Sequence, residues 1–171
     1  MIDIILPGYS DKNKFWLEET AKNLVSENEV RTVYWNHWTD FHKKFDPKDK
    51  AIDVVDVMLD DSSNIIAKSV GTLVAAYILE RAPEKIKKVI LCGLPLKDFS
   101  EADKKVVQES LAKINPENII CIQNSNDPHA SYQEALEFVG KVNSKIKVIS
   151  KESSDHEYLY ADDFTNFLQE K

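Results

Sequence analysis

Three polar residues of the sequence have the types and the spacing that nucleophilic acyl transfer requires. Ser69 lies in the pentapeptide Ala-Lys-Ser-Val-Gly at 67–71, Asp127 precedes a proline, and His156 follows the last β-rich run of the chain. A serine hydroxyl is a weak nucleophile and needs a base, commonly histidine, to take its proton. A carboxylate can hold the imidazole in the correct tautomer and stabilise its cation. These residues can act together only if the fold brings them to one place.

The residues around Ser69 fit the strand, sharp turn and helix of a nucleophile elbow. A short apolar run at 64–68 leads directly into Ser69, and the apolar segment 70–79 follows it. The pentapeptide matches G-x-S-x-G except that Ala67 replaces the first glycine, and small residues are needed there because the turn is strained. A serine that merely caps the helix would give the same local pattern. The pentapeptide alone leaves both interpretations open.

Short β-rich runs alternate with amphipathic segments of helical length along the chain. Strands are predicted at 2–6, 31–35, 64–68, 88–92, 118–123 and 145–150. Most are short apolar bursts, as in parallel strands that are covered on both faces. The alternation predicts right-handed crossovers and an α/β fold, a three-layer αβα sandwich with a mostly parallel sheet of about six strands. We expect a single domain that spans 1–171.

Helices are predicted between these strands from apolar residues at helical spacing. Two of them begin with capping boxes, Ser100 with Asp103 and Ser131 with Glu134. Others are indicated by their apolar positions alone: Trp16, Leu17, Ala21, Leu24 and Val25; Ile52, Val55, Met58 and Leu59; Phe164, Phe167 and Leu168. The segment 70–79 is apolar on nearly every face, which predicts a helix at the centre of the domain.

The order of Ser69, Asp127 and His156 along the chain favours a catalytic triad. Taken singly, an Asn-Asp-Pro sequence is also typical of a turn, and a lone histidine in a loop is usually solvated. Each of the three residues follows a different predicted strand, and functional groups of open α/β sheets collect at the carboxyl ends of strands. Ser, then Asp, then His is the α/β-hydrolase order and differs from those of chymotrypsin and subtilisin. We therefore predict Ser69 as nucleophile, His156 as base and Asp127 as the orienting acid.

Acyl transfer also requires amide N–H groups that hold the tetrahedral oxyanion. The first is predicted to be the N–H of Val70, directly after the nucleophile. The second should come from the loop after the first strand, where Pro7 has no N–H to give. We predict Tyr9 as this donor, with Gly8 as the less favoured alternative.

These motifs resemble those of small single-domain serine hydrolases of the α/β-hydrolase superfamily, related to retinoblastoma-binding protein nine and the bacterial YdeN-like proteins. The resemblance covers essentially the whole chain and rests on four segments: Pro-Gly at 7–8, the elbow at 67–72, Asn-Asp-Pro at 126–128 and Asp-His at 155–156. It implies a mostly parallel sheet and hydrolysis of esters or similar acyl bonds. Ala67 and Lys68 stand where the family elbow usually reads Gly-His.

The resemblance also implies the form of the substrate site. Larger relatives insert a cap domain where this chain has only the segment 93–99. We therefore expect the minimal fold without a cap, an open site, and a small, soluble acyl substrate cleaved through an acyl-enzyme. Substrate-binding residues are expected among Gly8, Trp16, Leu94, Leu96 and Phe99. No metal and no cofactor is expected.

Composition narrows the function classes further. The net charge is -7 and no basic stripe occurs, which argues against nucleic acid or an anionic membrane as partner. None of the four glycines forms a phosphate-binding motif, so a flavodoxin-like nucleotide or flavin binder is disfavoured. The apolar runs are too short to span a bilayer and the N-terminus lacks a basic start, which predicts a cytoplasmic protein. Cys92 and Cys121 match no zinc or redox spacing and are expected to be buried thiols.

Two residues offer alternative assignments within the triad. His129 could replace His156 as the base, although it would then share one loop with Asp127. Asp98, after the strand that ends at Cys92, could supply the acid. Asp155 is expected only to tune the field around its neighbour.

Other polar residues favour different interpretations. His37 and His42 lie five residues apart, which is not the i, i+4 spacing of one helix face, so a surface loop is expected rather than a metal site. Cys92 is disfavoured as a nucleophile because no strand-to-helix elbow follows it. An interaction or scaffold protein that keeps the fold without the chemistry is the alternative from another class.

Overall fold

A parallel β-sheet forms the middle layer of the molecule. The computed structural model describes residues 1–57 and 62–170. Within them the strands are β1 (Ile2–Leu6), β2 (Glu29–Thr32), β3 (Ser63–Lys68), β4 (Ile86–Cys92), β5 (Ile119–Asn124) and β6 (Lys147–Lys151). These six strands are all parallel and lie in the order β2-β1-β3-β4-β5-β6. The predicted α/β class and mostly parallel sheet are confirmed.

Helices cover both faces of this sheet. In the described ranges they are α1 (Asn13–Asn23), α2 (Pro47–Val57), α3 (Val70–Arg81), α4 (Glu101–Leu111), α5 (Tyr132–Gly140) and α6 (Ala161–Gln169). Buried residues of α2 to α5 pack in one apolar cluster, and those of α1 and α6 pack in another. The molecule is thus an αβα sandwich without a cap domain. Both predicted capping boxes are present, at the starts of α4 and α5.

Two further observations concern the helices. Met58 and Leu59, which were predicted to continue the helix after Val55, lie outside the described residues. Among the helices that the structure describes, none has the length and apolar character needed to cross a membrane.

The second strand lies earlier in the sequence than predicted. The apolar residues Val33, Tyr34 and Trp35 suggested a strand at 31–35, but β2 ends at Thr32. Trp35 instead turns into the core, where it is 1% exposed. The apolar run therefore reflects a side chain that packs beneath a neighbouring loop, and β2 itself is a half-exposed edge strand.

Helix α3 lies at the centre of one helical layer, as predicted for 70–79. It packs against α2 and α4. Its buried residues are Gly71, Thr72, Leu73, Val74, Ala75, Ala76, Ile78 and Leu79. Ser69 alone separates α3 from β3, so strand and helix are joined by a single residue.

The strand order brings two loops together at the carboxyl edge of the sheet. β1 pairs with β2 on one side and with β3 on the other. The order in which strands are added therefore reverses at β1: β2 lies on one side of it, and β3 to β6 follow on the other. Ligands of open α/β sheets bind at such a reversal point. The segment 7–9 after β1 (hereafter the first loop) and Ser69 after β3 meet there.

Candidate active site

Ser69 occupies a strained turn. Its φ is 55° and its ψ is -127°, and it is the only non-glycine residue with positive φ in the described ranges. Its N–H donates to the carbonyl oxygen of Cys92 at 3.0 Å, and its own carbonyl oxygen accepts from the N–H and the hydroxyl of Thr72. Its side chain accepts no hydrogen bond from the first turn of α3. A helix-capping role, the alternative explanation of this serine, is therefore not observed.

Gly71 allows the start of α3 to pass close to β1. A Cβ at this position would lie 2.5 Å from the carbonyl oxygen of Leu6 and 2.7 Å from that of Pro7. Ala67, on the other side of the turn, is completely buried. Small residues are therefore required on both sides of Ser69, as an elbow requires.

Asp127 lies in the loop between β5 and α5 and is 2% exposed. Its Oδ2 accepts hydrogen bonds from Nδ1 of His156, at 2.6 Å, and from the hydroxyl of Tyr158. Its Oδ1 accepts from the N–H of His129 at 2.7 Å. Burial alone would raise the pKa of Asp127, but these three hydrogen bonds and the nearby imidazole outweigh it and lower the pKa below its ordinary value. The carboxylate is therefore ionised at neutral pH.

His156 presents one nitrogen to Asp127 and keeps the other free. Because Nδ1 donates to the carboxylate, Nε2 carries the lone pair in the neutral ring. Nε2 is buried and has no hydrogen-bond partner within residues 1–57 and 62–170. The ring also lies next to the elbow: Gly93, with φ of 62°, follows the residue that binds the Ser69 N–H, and a Cβ on it would lie 3.0 Å from Cε1 of His156.

The loop at 152–160 that carries His156 (hereafter the histidine loop) is held in place by two residues that the sequence analysis did not identify. The side-chain amide of Asn124 donates to the carbonyl oxygens of Asp155, at 3.0 Å, and of Glu157, at 2.9 Å, on either side of His156. The hydroxyl of Tyr158 accepts from the N–H of Asn124 while it donates to Asp127. Burial and the bond to Asp127 raise the pKa of Tyr158 far above its ordinary value, so it stays a neutral donor.

Aromatic side chains hold the first loop by its carbonyl oxygens. The indole N–H of Trp35 donates to the oxygens of Pro7 and Gly8, at 3.3 Å and 3.0 Å. The oxygen of Tyr9 accepts from Nε2 of His37 at 2.8 Å and from the indole of Trp38 at 2.7 Å. The N–H groups of Gly8 and Tyr9 have no acceptor in the part of the chain that the structure describes.

The N–H of Val70 is the other predicted oxyanion donor. It belongs to the first residue of α3, where an N–H has no partner within the helix. The helix dipole also favours negative charge at this end. The first loop and the start of α3 thus offer free N–H groups on two elements that touch through Gly71.

A family model for serine hydrolases matches residues 3–156, from the first strand to the predicted base. The chain belongs to the serine hydrolase family. No curated protein matches it significantly in sequence. The predicted resemblance to the α/β-hydrolase superfamily is confirmed by this match and by the fold.

Solved structures of α/β hydrolases share the fold of this serine hydrolase. Mouse alpha/beta hydrolase domain-containing protein 10 is 14% identical with a TM-score of 0.68, over 98% of this chain and 87% of that one. A serine hydrolase without a lid from Xanthomonas campestris is 14% identical with a TM-score of 0.65, over 98% and 78%. A meta-cleavage product hydrolase from Pseudomonas fluorescens is 12% identical with a TM-score of 0.62, over 98% and 88%.

The alternative triad residues of this serine hydrolase pair with each other beside His156, and the ring centroids of His129 and His156 are 4.3 Å apart. Nδ1 of His129 contacts Oδ2 of Asp98 at 2.6 Å, and both side chains are substantially exposed, at 41% and 58%. His129 donates its main-chain N–H to Asp127, whereas its ring hydrogen-bonds to Asp98. Cys92 is completely buried, and burial raises the pKa of its thiol far above its ordinary value, which disfavours a role as nucleophile. Burial likewise raises the pKa of Cys121 to about 12.

The side chains of the predicted substrate wall are largely buried in the structure. Trp16 is 1% exposed and donates its indole N–H to the carbonyl oxygen of Tyr158 at 2.7 Å, and Leu94 is completely buried. Leu96 and Phe99 also belong to the apolar core and keep 8% exposure each. The segment 93–99 turns inward because the side chain of Gln123 binds the N–H of Leu94 and the carbonyl oxygen of Ala130.

The structure also places Gly8 and the two histidines at 37 and 42, which the sequence analysis singled out. Gly8 is buried, and a Cβ on it would lie 2.7 to 2.8 Å from the side-chain amide of Asn13. His37 contacts the first loop as described, whereas His42 lies in an exposed turn. Across residues 1–57 and 62–170, no group of three or more His, Cys, Asp and Glu side chains comes together to hold a metal ion.

Lys68, the residue before the predicted nucleophile, has a buried amino group. Its side chain is 3% exposed, and Nζ contacts Oδ1 of Asn13 at 2.9 Å and Oε2 of Glu157 at 3.3 Å. Asn13 lies against Gly8 in the first loop, and Glu157 follows His156. Lys68 therefore links the elbow to the first loop and to the histidine loop, a role that no sequence motif indicated.

Proposed function

We propose that this serine hydrolase is carboxylesterase-like and cleaves a small, soluble ester through Ser69, His156 and Asp127. The observation that carries the proposal is the state of His156. Asp127 fixes its tautomer, and the remaining nitrogen is buried without a partner. A buried polar atom that lacks a partner costs free energy, and a catalytic role is one explanation for such an atom. The hydroxyl proton of Ser69 is the partner that this nitrogen receives during catalysis.

Acylation uses each of the three residues. The Oγ of Ser69 attacks the ester carbonyl carbon while Nε2 of His156 takes the hydroxyl proton. The oxyanion accepts hydrogen bonds from the N–H groups of Val70 and Tyr9. When the intermediate collapses, the bond to the alcohol oxygen breaks and the imidazolium gives its proton to that oxygen. The alcohol leaves and the acyl group stays on Ser69.

Deacylation repeats these steps with water. His156 takes a proton from a water molecule, whose oxygen attacks the acyl carbon. The bond to the serine oxygen then breaks, the proton returns to Ser69, and the carboxylic acid leaves. Asp127 stays ionised throughout and stabilises the imidazolium formed in each half.

A fluorophosphonate probe tests this proposal because it phosphonylates only an activated serine. We expect wild-type protein to be labelled at Ser69, as located by peptide mapping. Ser69→Ala should abolish labelling and lower ester turnover by roughly 10³-fold or more. Ser144→Ala, at an exposed turn before β6, is the matched control and should react like wild type.

Folded wild-type protein that resists the probe would overturn the proposal. The chain would then be better explained as a non-catalytic interaction protein that keeps the hydrolase fold. Labelling at a serine other than Ser69 would overturn the assignment of the nucleophile.

A further inference from the structure

A small cavity with aromatic walls lies against the first loop. Its volume is about 300 Å³, and its lining residues are Tyr9, Ser10, Asp11, His37, Trp38 and Phe41. Phe41 is 92% exposed and Tyr9 is 57% exposed, so two large aromatic side chains are held in solvent around one opening. Exposed apolar side chains that are grouped in this way mark binding sites more often than isolated ones do.

Three side chains of this aromatic cavity, Tyr9, His37 and Trp38, are held in place by contacts within the protein. The rings of Tyr9 and His37 are stacked, with centroids 4.6 Å apart, and Phe45 contacts both rings edge-on. Nε2 of His37 and the indole of Trp38 are fixed by the carbonyl oxygen of Tyr9. A site whose walls are already ordered loses little conformational freedom when it binds a ligand.

The aromatic cavity adjoins the proposed catalytic residues. Tyr9 forms part of its wall and is also the predicted oxyanion donor of the first loop. Pro7, two residues earlier, lies against Gly71 of the elbow. A residue spans at most about 3.6 Å, so Tyr9 lies within roughly 7 Å of this contact. An ester held at Ser69 can therefore extend one of its substituents into the cavity.

The chemistry of the lining favours an uncharged apolar group. The ring N–H donors of His37 and Trp38 are already used by Tyr9. The hydroxyl of Ser10 is used by Asp11, and the other side chains of the lining present aromatic faces. Asp11 at the rim disfavours an anion. Trp16 and Leu94 are buried, so the substrate needs an apolar surface other than the one predicted from the sequence.

We propose that the aromatic cavity binds a neutral, ring-sized apolar group of the ester substrate. This inference rests on the proposed function for its role in turnover. The volume of the cavity lies at the lower end of the range for ligand sites, about 300 Å³, which suits a single ring. The group can belong to the acyl part or to the alcohol part of the ester.

Truncation of Phe41 tests the preference for a ring. The ratios of kcat/KM are measured for methyl benzoate against methyl acetate, and for phenyl acetate against methyl acetate. Phe41→Ala should lower one of these ratios about 5-fold relative to wild type, the loss expected for one aromatic contact. The ratio that falls identifies the acyl or the alcohol part. Leu136→Ala, an exposed apolar truncation on α5, should leave both ratios unchanged.

A binding measurement separates this inference from the proposed chemistry. Ser69→Ala protein is not expected to turn over the ester, and its three tryptophans provide three indole N–H groups to follow by NMR. Added phenyl acetate or methyl benzoate should shift the signal of Trp38, while the signals of the buried Trp16 and Trp35 stay in place. The shift is expected even if Ser69 fails to react with a fluorophosphonate. An unmoved Trp38 signal with both esters, or both ratios unchanged by Phe41→Ala, would overturn the inference.

Discussion

Replacement of Gly71 by alanine measures how much the elbow depends on its close approach to β1. The new Cβ would lie 2.5 Å from the carbonyl oxygen of Leu6 and 2.7 Å from that of Pro7. Both are main-chain atoms at the end of a buried strand, so neither can turn away as a flexible side chain could. Carbon and oxygen atoms in even the closest favourable contacts stay about 3.3 Å apart. Helix α3 must therefore move away from β1 by roughly 0.8 Å.

The cost of this movement follows from the packing on both sides of α3. Overpacking of a core position costs about 1–3 kcal/mol, and more where the neighbours are rigid. A displacement of about 1 Å at catalytic groups can also lower the rate by roughly 10²-fold. Gly140→Ala is the matched control, because it also lies in a helix and a Cβ there would have nothing within 4 Å. That variant should gain about 0.5–1 kcal/mol, the usual advantage of alanine over glycine in a helix.

Urea unfolding and the rate of fluorophosphonate labelling provide the readouts. We expect the free energies of unfolding of the two glycine variants to differ by about 1.5–4 kcal/mol, with Gly71→Ala the less stable. Labelling of folded Gly71→Ala should be slow, and labelling of Gly140→Ala should match wild type. Equal unfolding midpoints for the two variants, with normal labelling of Gly71→Ala, would refute the close approach of α3 to β1.

Three further predictions concern the triad and its support. Ser69→Gly should raise the free energy of unfolding by about 1 kcal/mol in urea while abolishing labelling, because glycine adopts a φ of 55° without strain; a loss of stability would contradict this reasoning. Tyr158→Phe leaves a buried carboxylate oxygen and a main-chain N–H without the hydroxyl, so it should cost about 1–3 kcal/mol and slow ester turnover; an unchanged unfolding curve would argue against both hydrogen bonds. The lowered pKa of Asp127 means that its stabilising contribution is complete above the unfolded-state pKa of about 3.9 and is lost as pH falls through the lower folded pKa. The stability gap between wild type and Asp127→Asn, measured by unfolding across pH, should therefore be largest near neutral pH and shrink below about pH 4; a gap independent of pH would exclude this linkage.

The sheet and most of its helices could be predicted because their patterns are local. Strands buried on both faces are short apolar runs, and five of the six predicted strands differ from the observed ones by at most two residues at either end. The capping boxes at Ser100 and Ser131 were found because the cap and its partner lie three residues apart. The second strand was misplaced because Trp35 extends the apolar run without belonging to the strand. Its side chain packs under a loop that is distant in sequence.

The supporting residues of the site could not be predicted because their partners are distant along the chain. Asn124 acts on the loop around His156, and Tyr158 acts on Asp127; both pairs depend on how β5 and β6 lie side by side. The partners of Lys68 are likewise distant in sequence, because they lie in α1 and in the histidine loop. The burial of the predicted substrate-wall residues could not be foreseen for a different reason. An apolar residue near a site can face the core or the solvent, and hydrophobicity does not distinguish the two.

The hydrogen bond from Trp35 to the first loop has a consequence for the orientation of the proposed oxyanion donor, the N–H of Tyr9. The carbonyl group of Gly8 and the N–H of Tyr9 belong to the same planar trans peptide group, so they point in opposite directions. The indole that binds the oxygen of Gly8 therefore also sets the direction of the N–H of Tyr9. Trp35 is anchored in the core. The direction of the hydrogen bond that we propose between Tyr9 and the oxyanion is thus fixed by core packing when the protein folds.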